Sequence, residues 1–450
     1  MKTAVYVCGA CGSESPKWLG RCPACQEWNT LNEEPRRGLM TSSSRIAPPA
    51  ELKRLAHWKT QGMARRISTG LAPLDRVLGG GVVPGMGVLI GGDPGIGKST
   101  LLLQCAAGLA RNVDRVLYVT GEESGSQIAL RAQRLGIESD ALWLLPETSL
   151  ERILETAEQS SPGVLIVDSV QTVCSASLES ASGSLGQVRE CAARLLEFAK
   201  RSDTPLFLVG HVTKEGALAG PKTLEHLVDT VIYFEGDGAF ATRLLRTVKN
   251  RFGPAGELAV FEMAEGGLKA VDNPSAVFLS QRRSDAPGSV VFCSLEGTLP
   301  FLVEIQALVT GGGPGSPRRA TNGFDPARAA MLLAVLEKRA GIFLSSDDIF
   351  INAAGGVRLA EPAADLPVAC AVASSALGRS ARADTVVFGE VGLVGEVRAV
   401  SRTAERAREA VRLGFSRCVL PRANLQDFPR DIDLQPEGVA TLSDAVESLL

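Results

Sequence analysis

The sequence predicts an α/β fold with a mostly parallel β-sheet, preceded by a small cysteine-rich module and followed by a further domain. Two observations lead to this class. Between residues 67 and about 270, short β-rich runs alternate with segments of helical periodicity, and this alternation is typical of parallel sheets covered by helices. Within that region, a glycine-rich turn separates an apolar run from an amphipathic helical segment, which is the setting of a phosphate-binding loop.

Length and composition indicate a globular protein of two or three domains. The chain has 450 residues, of which 45% are hydrophobic and 22% are charged, an ordinary composition for domains that bury their own cores. No charge-free apolar run reaches the roughly 18 to 20 residues of a membrane span, and the first residues lack a signal-peptide pattern. We therefore expect a cytoplasmic protein with no membrane segment.

Charge is unevenly distributed along the chain. The formal net charge is −3, which argues against a uniformly basic surface and leaves any DNA contact to local patches or loops. Residues 1–69 nevertheless carry eleven Lys and Arg against five acids, a balance of +6. This excess fits a solvated connector as well as a nucleic-acid contact.

The first element along the chain is a set of four cysteines, Cys8, Cys11, Cys22 and Cys25. Each Cys-x-x-Cys pair directs two thiolates to one point, and two pairs complete the closed tetrahedral site typical of structural Zn²⁺. Disulfides are the alternative, but six further scattered cysteines in a chain expected to be cytoplasmic argue against them. We predict that residues 1–30 form a zinc finger.

A linker is predicted next, over residues 31–66. Charged, Ser-rich and Pro-rich clusters at 33–37, 42–44 and 48–49 interrupt any periodic apolar pattern, as in flexible connectors. The α/β domain then occupies residues 67–272, and the remaining domain residues 273–450.

Strands and helices of the α/β domain follow from hydrophobic periodicity. In segment 185–201, apolar residues recur at helical spacing and give one face that can pack on a sheet. The last three predicted strands are expected to extend the sheet in antiparallel fashion. The predicted strands are 115–120, 141–145, 164–168, 206–210, 229–235, 241–248 and 257–263, and the predicted helices are 126–135, 150–159 and 185–201.

The glycine-rich turn matches the pattern Gly-x-x-x-x-Gly-Lys-Ser, known as the P-loop. Glycines let backbone N–H groups point into one concavity, and the helix that follows adds partial positive charge at its N-terminus. In this pattern Lys98 reaches the β- and γ-phosphates, and the Ser99 hydroxyl ligates Mg²⁺. The predicted nucleoside triphosphate site consists of Gly92, Asp93, Pro94, Gly95, Ile96, Gly97, Lys98, Ser99 and Thr100.

Two acidic residues lie where strands of the same sheet end. Asp168 closes the apolar run 164–167, the pattern of a carboxylate that holds the Mg²⁺ shell. Glu122 follows the run 118–120, where a carboxylate can orient the attacking water. Both residues also have a purely structural interpretation. An Asp at a strand end is common, and residues 122–124 also fit a helix N-cap cluster around Ser124.

Three motifs, taken in order, resemble those of the bacterial RadA (Sms) family. They are residues 15–23 (SPKWLGRCP), the P-loop at 92–100, and residues 249–253 (KNRFG). The pentapeptide is highly specific to that family, and the resemblance covers essentially the whole chain. It implies a RecA-like ATPase that uses ATP and Mg²⁺, acts on single-stranded and branched DNA, drives branch migration as a hexameric ring, and works with the recombinase RecA.

The resemblance also implies roles for individual residues. Glu122 falls where the RecA fold places its water-activating glutamate, with Glu123 as the alternative. His211 falls where the γ-phosphate is sensed, although a lone histidine at a strand end is ordinarily a core residue. Loop 212–224 and the loop near 171–186 resemble the two DNA-facing loops of that fold, and only the first contains lysines.

Lys249 and Arg251 belong to the KNRFG pentapeptide. Two cations at alternate positions of an extended segment point to the same side, so both can converge on one anion. Such a pair is usually a solvated strand end. The family resemblance instead implies that the two side chains reach across a subunit boundary to the γ-phosphate of a neighbour.

The C-terminal residues 273–450 resemble the proteolytic domain of Lon, an α+β fold. Residues 385–398 (TVVFGEVGLVGEVR) carry most of the match. Lon has its nucleophile in a Gly-Pro-Ser-Ala-Gly segment, whereas residues 364–369 read ADLPVA, and Ala404 falls at the position of Lon's general-base lysine. Covalent catalysis needs both groups. We therefore expect a proteolytically inactive scaffold for oligomerisation or DNA contact, with loop 311–319 as a candidate contact.

These features favour an ATP-driven DNA motor in recombinational repair. Two other functions stay open at this point. An ATP-dependent protease or protein remodeller is suggested by the Lon-like part, and a nucleotide-regulated DNA-binding adaptor would need no motor activity. Stimulation of ATP hydrolysis by single-stranded DNA, measured together with branch migration, separates the three.

Overall fold

The computed structural model describes residues 4–8, 14–23, 26–35, 66–211, 224–236, 242–313 and 316–450. These residues fall into two compact units, one within 1–235 and 244–270 and the other within 236–243 and 271–450. Several predicted features lie outside the described residues: Cys11, Cys25, most of the predicted linker and nearly all of loop 212–224. For His211, only the backbone is described.

The first unit begins with a small antiparallel sheet. Cys8, at the end of its middle strand, pairs with Leu31 in the neighbouring strand. Cys8, Cys22 and Leu31 form a buried cluster, and Tyr6 and Leu19 pack against it. The sheet has the order β2-β1-β3 and consists of β1 (Ala4–Cys8), β2 (Glu14–Ser15) and β3 (Leu31–Pro35).

The rest of this unit is a nine-stranded sheet with the order β12-β11-β10-β9-β4-β8-β7-β5-β6. Its strands are β4 (Gly87–Gly92), β5 (Val116–Thr120), β6 (Leu142–Pro146), β7 (Val164–Asp168), β8 (Leu206–His211), β9 (Thr230–Glu235), β10 (Thr242–Asn250), β11 (Leu258–Ala264) and β12 (Gly267–Ala270). The helices are α1 (Ala72–Val77), α2 (Lys98–Leu109), α3 (Gly125–Arg134), α4 (Leu150–Ser160) and α5 (Leu185–Arg201).

Helices cover both faces of the nine-stranded sheet. Because successive side chains of a strand point to opposite faces, Val88 and Ile90 of β4 join one core, together with residues of α1, α2 and α3. Leu89 joins the other core, which α4 and α5 complete. All six residues of β4 are buried. This two-sided burial explains why the central strands read as unbroken apolar runs rather than alternating ones.

The sequence predictions need correction in two places, the first being that residues 31–35 of the predicted linker form strand β3 and pair with β1. Helix α5 has the predicted bounds. The seven predicted strands correspond to β5 to β11, and each of their ends agrees to within two residues. The strand predicted at 229–235, however, is not part of an antiparallel extension. β9 pairs in parallel with β4, on the side opposite β8, and supplies the second row of hydrogen bonds that a central strand requires. The antiparallel extension begins only with β10.

The second unit contains a seven-stranded mixed sheet with the order β15-β16-β14-β13-β17-β20-β21, and a separate two-stranded sheet, β18-β19. Its strands are β13 (Ser289–Glu296), β14 (Leu299–Gly311), β15 (Arg319–Asn322), β16 (Asp347–Ala353), β17 (Thr385–Val387), β18 (Glu390–Val391), β19 (Val397–Arg398), β20 (Arg417–Pro421) and β21 (Gln435–Val439). Its helices are α6 (Pro274–Leu279), α7 (Pro326–Arg339), α8 (Asp365–Leu377), α9 (Thr403–Arg412) and α10 (Leu442–Leu449).

Helix α8 is the centre of the second unit. Its first ten residues are all buried, and it packs against β13, β14, α7 and α10. Small side chains such as Ala369, Ala371 and Ala373 allow this close approach on all sides. The predicted fold class is thus confirmed: a parallel α/β unit with a P-loop, and a C-terminal α+β unit. Among the described residues, no helix is both long and apolar enough to span a membrane.

Candidate active site

The P-loop connects β4 to α2 at the carboxyl edge of the nine-stranded sheet. β4 ends at Gly92 and α2 begins at Lys98, so residues 93–97 form the turn predicted from the sequence. Gly97 has a φ of +113°, and a Cβ atom there would lie 2.7 Å from Cε of Met263. The backbone conformation therefore favours glycine at this position, and any side chain would also have to displace the flexible end of Met263. Ser99 and Thr100 follow in the first turn of α2.

Lys98 is buried, with 3% of its surface exposed. Its Nζ donates hydrogen bonds to the carbonyl oxygens of Gly92 and Asp93, both at 2.9 Å. Burial lowers the pKa of Lys98, while the negative charges of Asp168, Glu122 and Asp93 act in the opposite direction. The ammonium group thus lies inside the turn and within electrostatic reach of the two predicted catalytic carboxylates.

Asp168 ends β7, opposite Thr120 of the neighbouring strand β5. One of its carboxylate oxygens, Oδ2, accepts a hydrogen bond from the hydroxyl of Tyr118 at 2.7 Å. Tyr118 is fully buried, and burial, reinforced by Asp168, raises the pKa of its hydroxyl well above the ordinary value. The phenol therefore keeps its proton and acts as a donor that orients the Asp168 carboxylate.

Glu122 and Glu123 have different surroundings. Glu122 accepts a hydrogen bond at Oε1 from the hydroxyl of Ser169, the residue after Asp168. Glu123 instead forms an ion pair with Arg131 of α3, at 2.6 Å. Of the two alternatives, the geometry favours Glu122 as the carboxylate that faces the P-loop site.

The alternative interpretation of residues 122–124, a helix N-cap, applies to Ser124 and not to the two glutamates. Ser124 caps α3, and together with Gln127 it forms a complete capping box. Neither carboxylate takes part in that box. The cap and the position of Glu122 are therefore compatible, because the cap uses the hydroxyl of Ser124 and the amide of Gln127.

A cavity of about 610 Å³ opens beside the first turn of α2. Its size is within the range of small-molecule sites, and Thr100 places one wall next to the P-loop. The sequence analysis did not predict this cavity. The sequence feature nearest to it is the Gly266-Gly267 pair, which indicates a tight turn between β11 and β12 but not a binding site. The lining residues are Thr100, Arg134, Leu135, Met263, Ala264, Glu265 and Gly267.

Lys249 and Arg251 both contact the segment that precedes β9. Nζ of Lys249 donates to the carbonyl oxygens of Glu225 and Val228, at 2.7 and 2.8 Å. Arg251 forms an ion pair with Asp229 at 3.2 Å, while 56% of its side chain stays exposed. Burial lowers the pKa of Lys249, and the positive charge of Arg251 lowers it further. The two cations thus converge on one segment of their own chain.

The loop at 171–186 is held firmly at its base. Gln187, in the first turn of α5, is buried, and its amide bonds to the backbone of Ser175, Leu178 and Ser180. The Ser175 hydroxyl also donates to Glu151 at 2.8 Å. This loop is therefore ordered by side chains of α4 and α5. His211 ends β8 in register with Gly92, and the loop that follows lies outside the described residues.

In the second unit, residues 364–369, the segment matched in the sequence analysis to Lon's nucleophile segment, contain no serine, and Ala404 is at the position predicted for the base. Ala364 is the residue before α8, and Ala404 is the second residue of α9. Charged pairs fill the neighbourhood of α8. Oδ2 of Asp365 accepts a hydrogen bond from Nη2 of Arg328 at 2.9 Å, and Oδ1 lies 2.6 Å from Nε of the same guanidinium in an ion pair. Burial raises the pKa of Asp365, whereas Arg328 acts in the opposite direction.

Comparisons with known proteins agree with this arrangement. Residues 6–33 match the family model described as a rubredoxin metal binding domain, residues 49–217 the model of an AAA domain, and residues 328–424 the model of subunit ChlI of Mg-chelatase. The chain is also similar to full-length proteins named DNA repair protein RadA. Identities are 48% for Halalkalibacterium halodurans, 49% for Aquifex aeolicus and 50% for Pseudomonas aeruginosa.

These similarities extend over whole chains. For the first two relatives, 100% of this chain aligns with 99% of the relative, and for the third the shares are 99% and 98%. A match of this length includes the four-cysteine segment, the P-loop unit and the C-terminal unit together. The chain therefore belongs to the RadA family of DNA repair proteins.

Proposed function

We propose that this protein is an ATP-driven DNA motor that acts on recombination intermediates and promotes branch migration. The observation that carries the proposal is the convergence of Lys98, Glu122 and Asp168 on one P-loop. A buried cation, a strand-end carboxylate and a second carboxylate are the groups that phosphoryl transfer to water requires.

Each residue has a distinct task in ATP hydrolysis. Backbone N–H groups of the P-loop and the ammonium of Lys98 bind the phosphates. Ser99 and Asp168 would hold Mg²⁺, which neutralises charge on the β- and γ-phosphates when it is bound. Their oxygen donors fit this ion, and Tyr118 orients the carboxylate. Glu122, held by Ser169, orients the attacking water.

The cavity beside α2 is the proposed site of the nucleotide base and ribose. It adjoins Thr100, which follows the Mg²⁺-binding serine directly in the chain. The Arg134 side chain offers a planar guanidinium, and Met263 offers an apolar surface. Both can contact the face of a purine ring. A nucleotide bound in this way occupies the P-loop and the cavity at once.

Coupling to DNA is assigned to the elements that follow the strand ends. His211 is proposed to sense the γ-phosphate, and loops 171–186 and 212–224 to contact single-stranded or branched DNA. Lys249 and Arg251 are proposed to act on the γ-phosphate of a neighbouring subunit in a hexameric ring. RecA is the proposed protein partner, and the cytoplasm the proposed location.

Cys8, Cys11, Cys22 and Cys25 are proposed to bind one Zn²⁺ per chain. Cys8 and Cys22 are buried in one cluster although they are distant in sequence, and thiolate ligands suit structural zinc. Elemental analysis of the purified protein tests this directly. We expect one zinc per chain, which is lost from the variant with both Cys8→Ala and Cys25→Ala. Protein without zinc, or unchanged zinc in that variant, contradicts the assignment.

The C-terminal unit is proposed to be a scaffold for oligomerisation or DNA contact, with loop 311–319 as a candidate DNA contact. Residues 364–369 contain no serine and Ala404 has no basic group, so neither supplies the nucleophile or the base that Lon uses for peptide cleavage. Incubation of the protein with casein and ATP should yield no cleavage products. Cleavage that persists in the Lys98→Ala variant after further purification would instead favour the protease alternative.

ATP hydrolysis measured with and without single-stranded DNA, alongside a branch-migration assay, tests the main proposal. We expect DNA to stimulate hydrolysis, and Glu122→Gln to abolish both activities. Glu123→Gln is the matched control, because its carboxylate pairs with Arg131 instead of facing the site. Hydrolysis without branch migration would favour the DNA-binding adaptor. Equal loss in both variants would remove the assignment of Glu122.

A further inference from the structure

We propose that the N-terminal module binds single-stranded DNA by stacking bases on Trp18 and Trp28. Both indoles are exposed, with 55% and 68% of their surface in contact with solvent. The buried cluster of this module is formed by other residues, Cys8, Cys22 and Leu31. The two largest apolar side chains of the segment therefore add little to its folding and are available to a ligand. This inference rests on the proposed function only in taking DNA as the ligand.

Both indoles flank one glycine. Residues 20–22 pair in antiparallel fashion with residues 27–29, and Asn29 N–H donates to the carbonyl of Gly20 at 2.9 Å. A Cβ atom at Gly20 would lie 3.8 Å from Cη2 of Trp18 and 3.8 Å from Cζ3 of Trp28. The two indole rings thus lie on either side of Gly20, and both are exposed to solvent. This arrangement presents two aromatic surfaces to successive bases of one strand.

Arg21 adds a fixed positive charge to this surface. It lies opposite Trp28 in the antiparallel pairing, and its guanidinium is 5.7 Å from the centroid of that indole. Two hydrogen bonds to Gln26, at 2.7 and 2.9 Å, hold the guanidinium in place. Lys17 is exposed on the adjoining segment. Cations beside stacking rings suit a ligand that alternates bases with phosphates.

Charge and chemistry favour a single strand over other occupants. Arg21 and Lys17 place positive charge beside the indoles, and the segment that follows the module, residues 31–69, carries eight Lys and Arg against three acids, which complements a polyanion. Base faces are available in a single strand, whereas in a duplex they are stacked on one another. A protein partner would also cover exposed indoles, but it would not by itself explain the cations placed beside them. That partner is retained as an outcome of the test.

The test measures binding of labelled oligo-dT to the full-length protein without ATP. Trp18→Ala and Trp28→Ala should each weaken binding about tenfold, because each removes one stacking surface. Neither should change binding to an abasic strand of the same length or to a duplex. The slope of log K against log salt should also stay unchanged. Lys17→Ala, by contrast, should weaken binding to both single strands and lower that slope by about 0.7.

Trp143→Ala is the matched control. This indole is also exposed, by 52%, and also has an arginine over its ring, Arg115 at 4.7 Å. It belongs to β6, far along the chain from the N-terminal module. We expect its removal to leave oligo-dT binding unchanged. If all three alanine variants lose affinity equally, the effect is not specific to the module and the proposal fails.

Trp18→Phe and Trp28→Phe separate stacking from folding, because each keeps an aromatic ring. Both should retain most of the affinity and the zinc content of the parent protein. Wild-type affinity for oligo-dT in the double alanine variant overturns the proposal and assigns the indoles to a protein contact. Repeating the titration in the Lys98→Ala background isolates this inference, since stacking is expected to persist whether or not the protein is a motor.

Discussion

The P-loop site and the neighbourhood of α8 both bury charged groups, yet they hold them differently. At the P-loop, Lys98 bonds to two carbonyl oxygens and Asp168 accepts from a tyrosine hydroxyl. Near α8, each charge meets an opposite charge at short range, as in Asp365 with Arg328 and Glu361 with Arg406. An ammonium that donates to carbonyl oxygens can exchange those contacts for the phosphate oxygens of a ligand. Charge paired with charge serves the fold.

This difference is consistent with a C-terminal unit in which residues 364–369 contain no serine and Ala404 is at the position predicted for the base. Arg406 is 1% exposed, bonds to Glu361 at 2.5 and 3.2 Å, and lies within 6.0 Å of the ring centroids of Phe292 and Phe388. Such a buried pair fixes α9 against its surroundings. The same helix carries Ala404 where a catalytic base would otherwise be expected. The buried charge of Arg406 on this helix thus stabilises the fold of the C-terminal unit.

The largest expected effect comes from the P-loop site. Lys98→Ala and Asp168→Asn should each lower ATP turnover about a thousandfold or more, because each removes charge stabilisation in the transition state. The free energy of unfolding should change much less. Steady-state hydrolysis and denaturant unfolding of the same preparations measure both quantities. Normal turnover in either variant would place the active site elsewhere.

Lys249 and Arg251 test whether the site is completed by another chain. Each alanine variant should lose DNA-stimulated turnover about a hundredfold while its subunits still fold. In an equal mixture of Arg251→Ala and Lys98→Ala subunits, about one quarter of head-to-tail interfaces regain an intact pair. Hydrolysis should recover accordingly. No recovery in rings shown to be mixed would confine both cations to the contacts with Glu225, Val228 and Asp229.

Arg406→Ala tests the structural side of the comparison. Leaving Glu361 without its buried partner should lower the free energy of unfolding of the C-terminal unit by about 3–5 kcal/mol. Arg408→Ala, on the same helix, is the control, since that arginine is exposed and pairs with Asp431 at 3.8 Å. Its effect should stay below about 1 kcal/mol. Equal losses in both variants would show that burial of the pair is unimportant.

The smallest effect concerns Asp444, whose carboxylate accepts from the N–H groups of Ala440 and Thr441 at the start of α10. The pKa of Asp444 is lowered mainly by a hydrogen bond with the side chain of Thr441, and the backbone N–H groups of Thr441 and Ala440 lower it further. A carboxyl group with a lowered pKa in the folded state stabilises the fold above its unfolded pKa. That contribution disappears as pH falls through the folded pKa.

Because Asp444 is exposed and solvent screens its charge, Asp444→Asn should cost no more than about 0.5 kcal/mol at pH 7. Unfolding curves at pH 7 and near pH 3 should show the gap between variant and parent closing in acid. A gap that is the same at both values would mean that the carboxylate charge is not the cause.

Much of the fold and part of the site followed from local sequence signals. The P-loop, β7 with Asp168, and α5 were predictable because each depends on spacing within one segment. The direction of β9 was not, because it depends on which edge of β4 remains for pairing. The Tyr118 and Asp168 contact joins residues 50 positions apart, and the Arg406 and Glu361 pair joins residues 45 apart. Contacts of that range leave no periodic trace.

Gln187 has a thermodynamic consequence for the loop at 171–186. One buried amide and the Glu151 carboxylate fix residues 175–180 to helices α4 and α5. Ordering a backbone residue costs about 1–2 kcal/mol in conformational entropy, and here folding has already met that cost. If a DNA strand docks on this loop as proposed, it would meet a rigid surface and lose little binding free energy to ordering. In a Gln187→Ala variant the loop would have to be ordered on binding, and that conformational entropy would weaken the binding free energy.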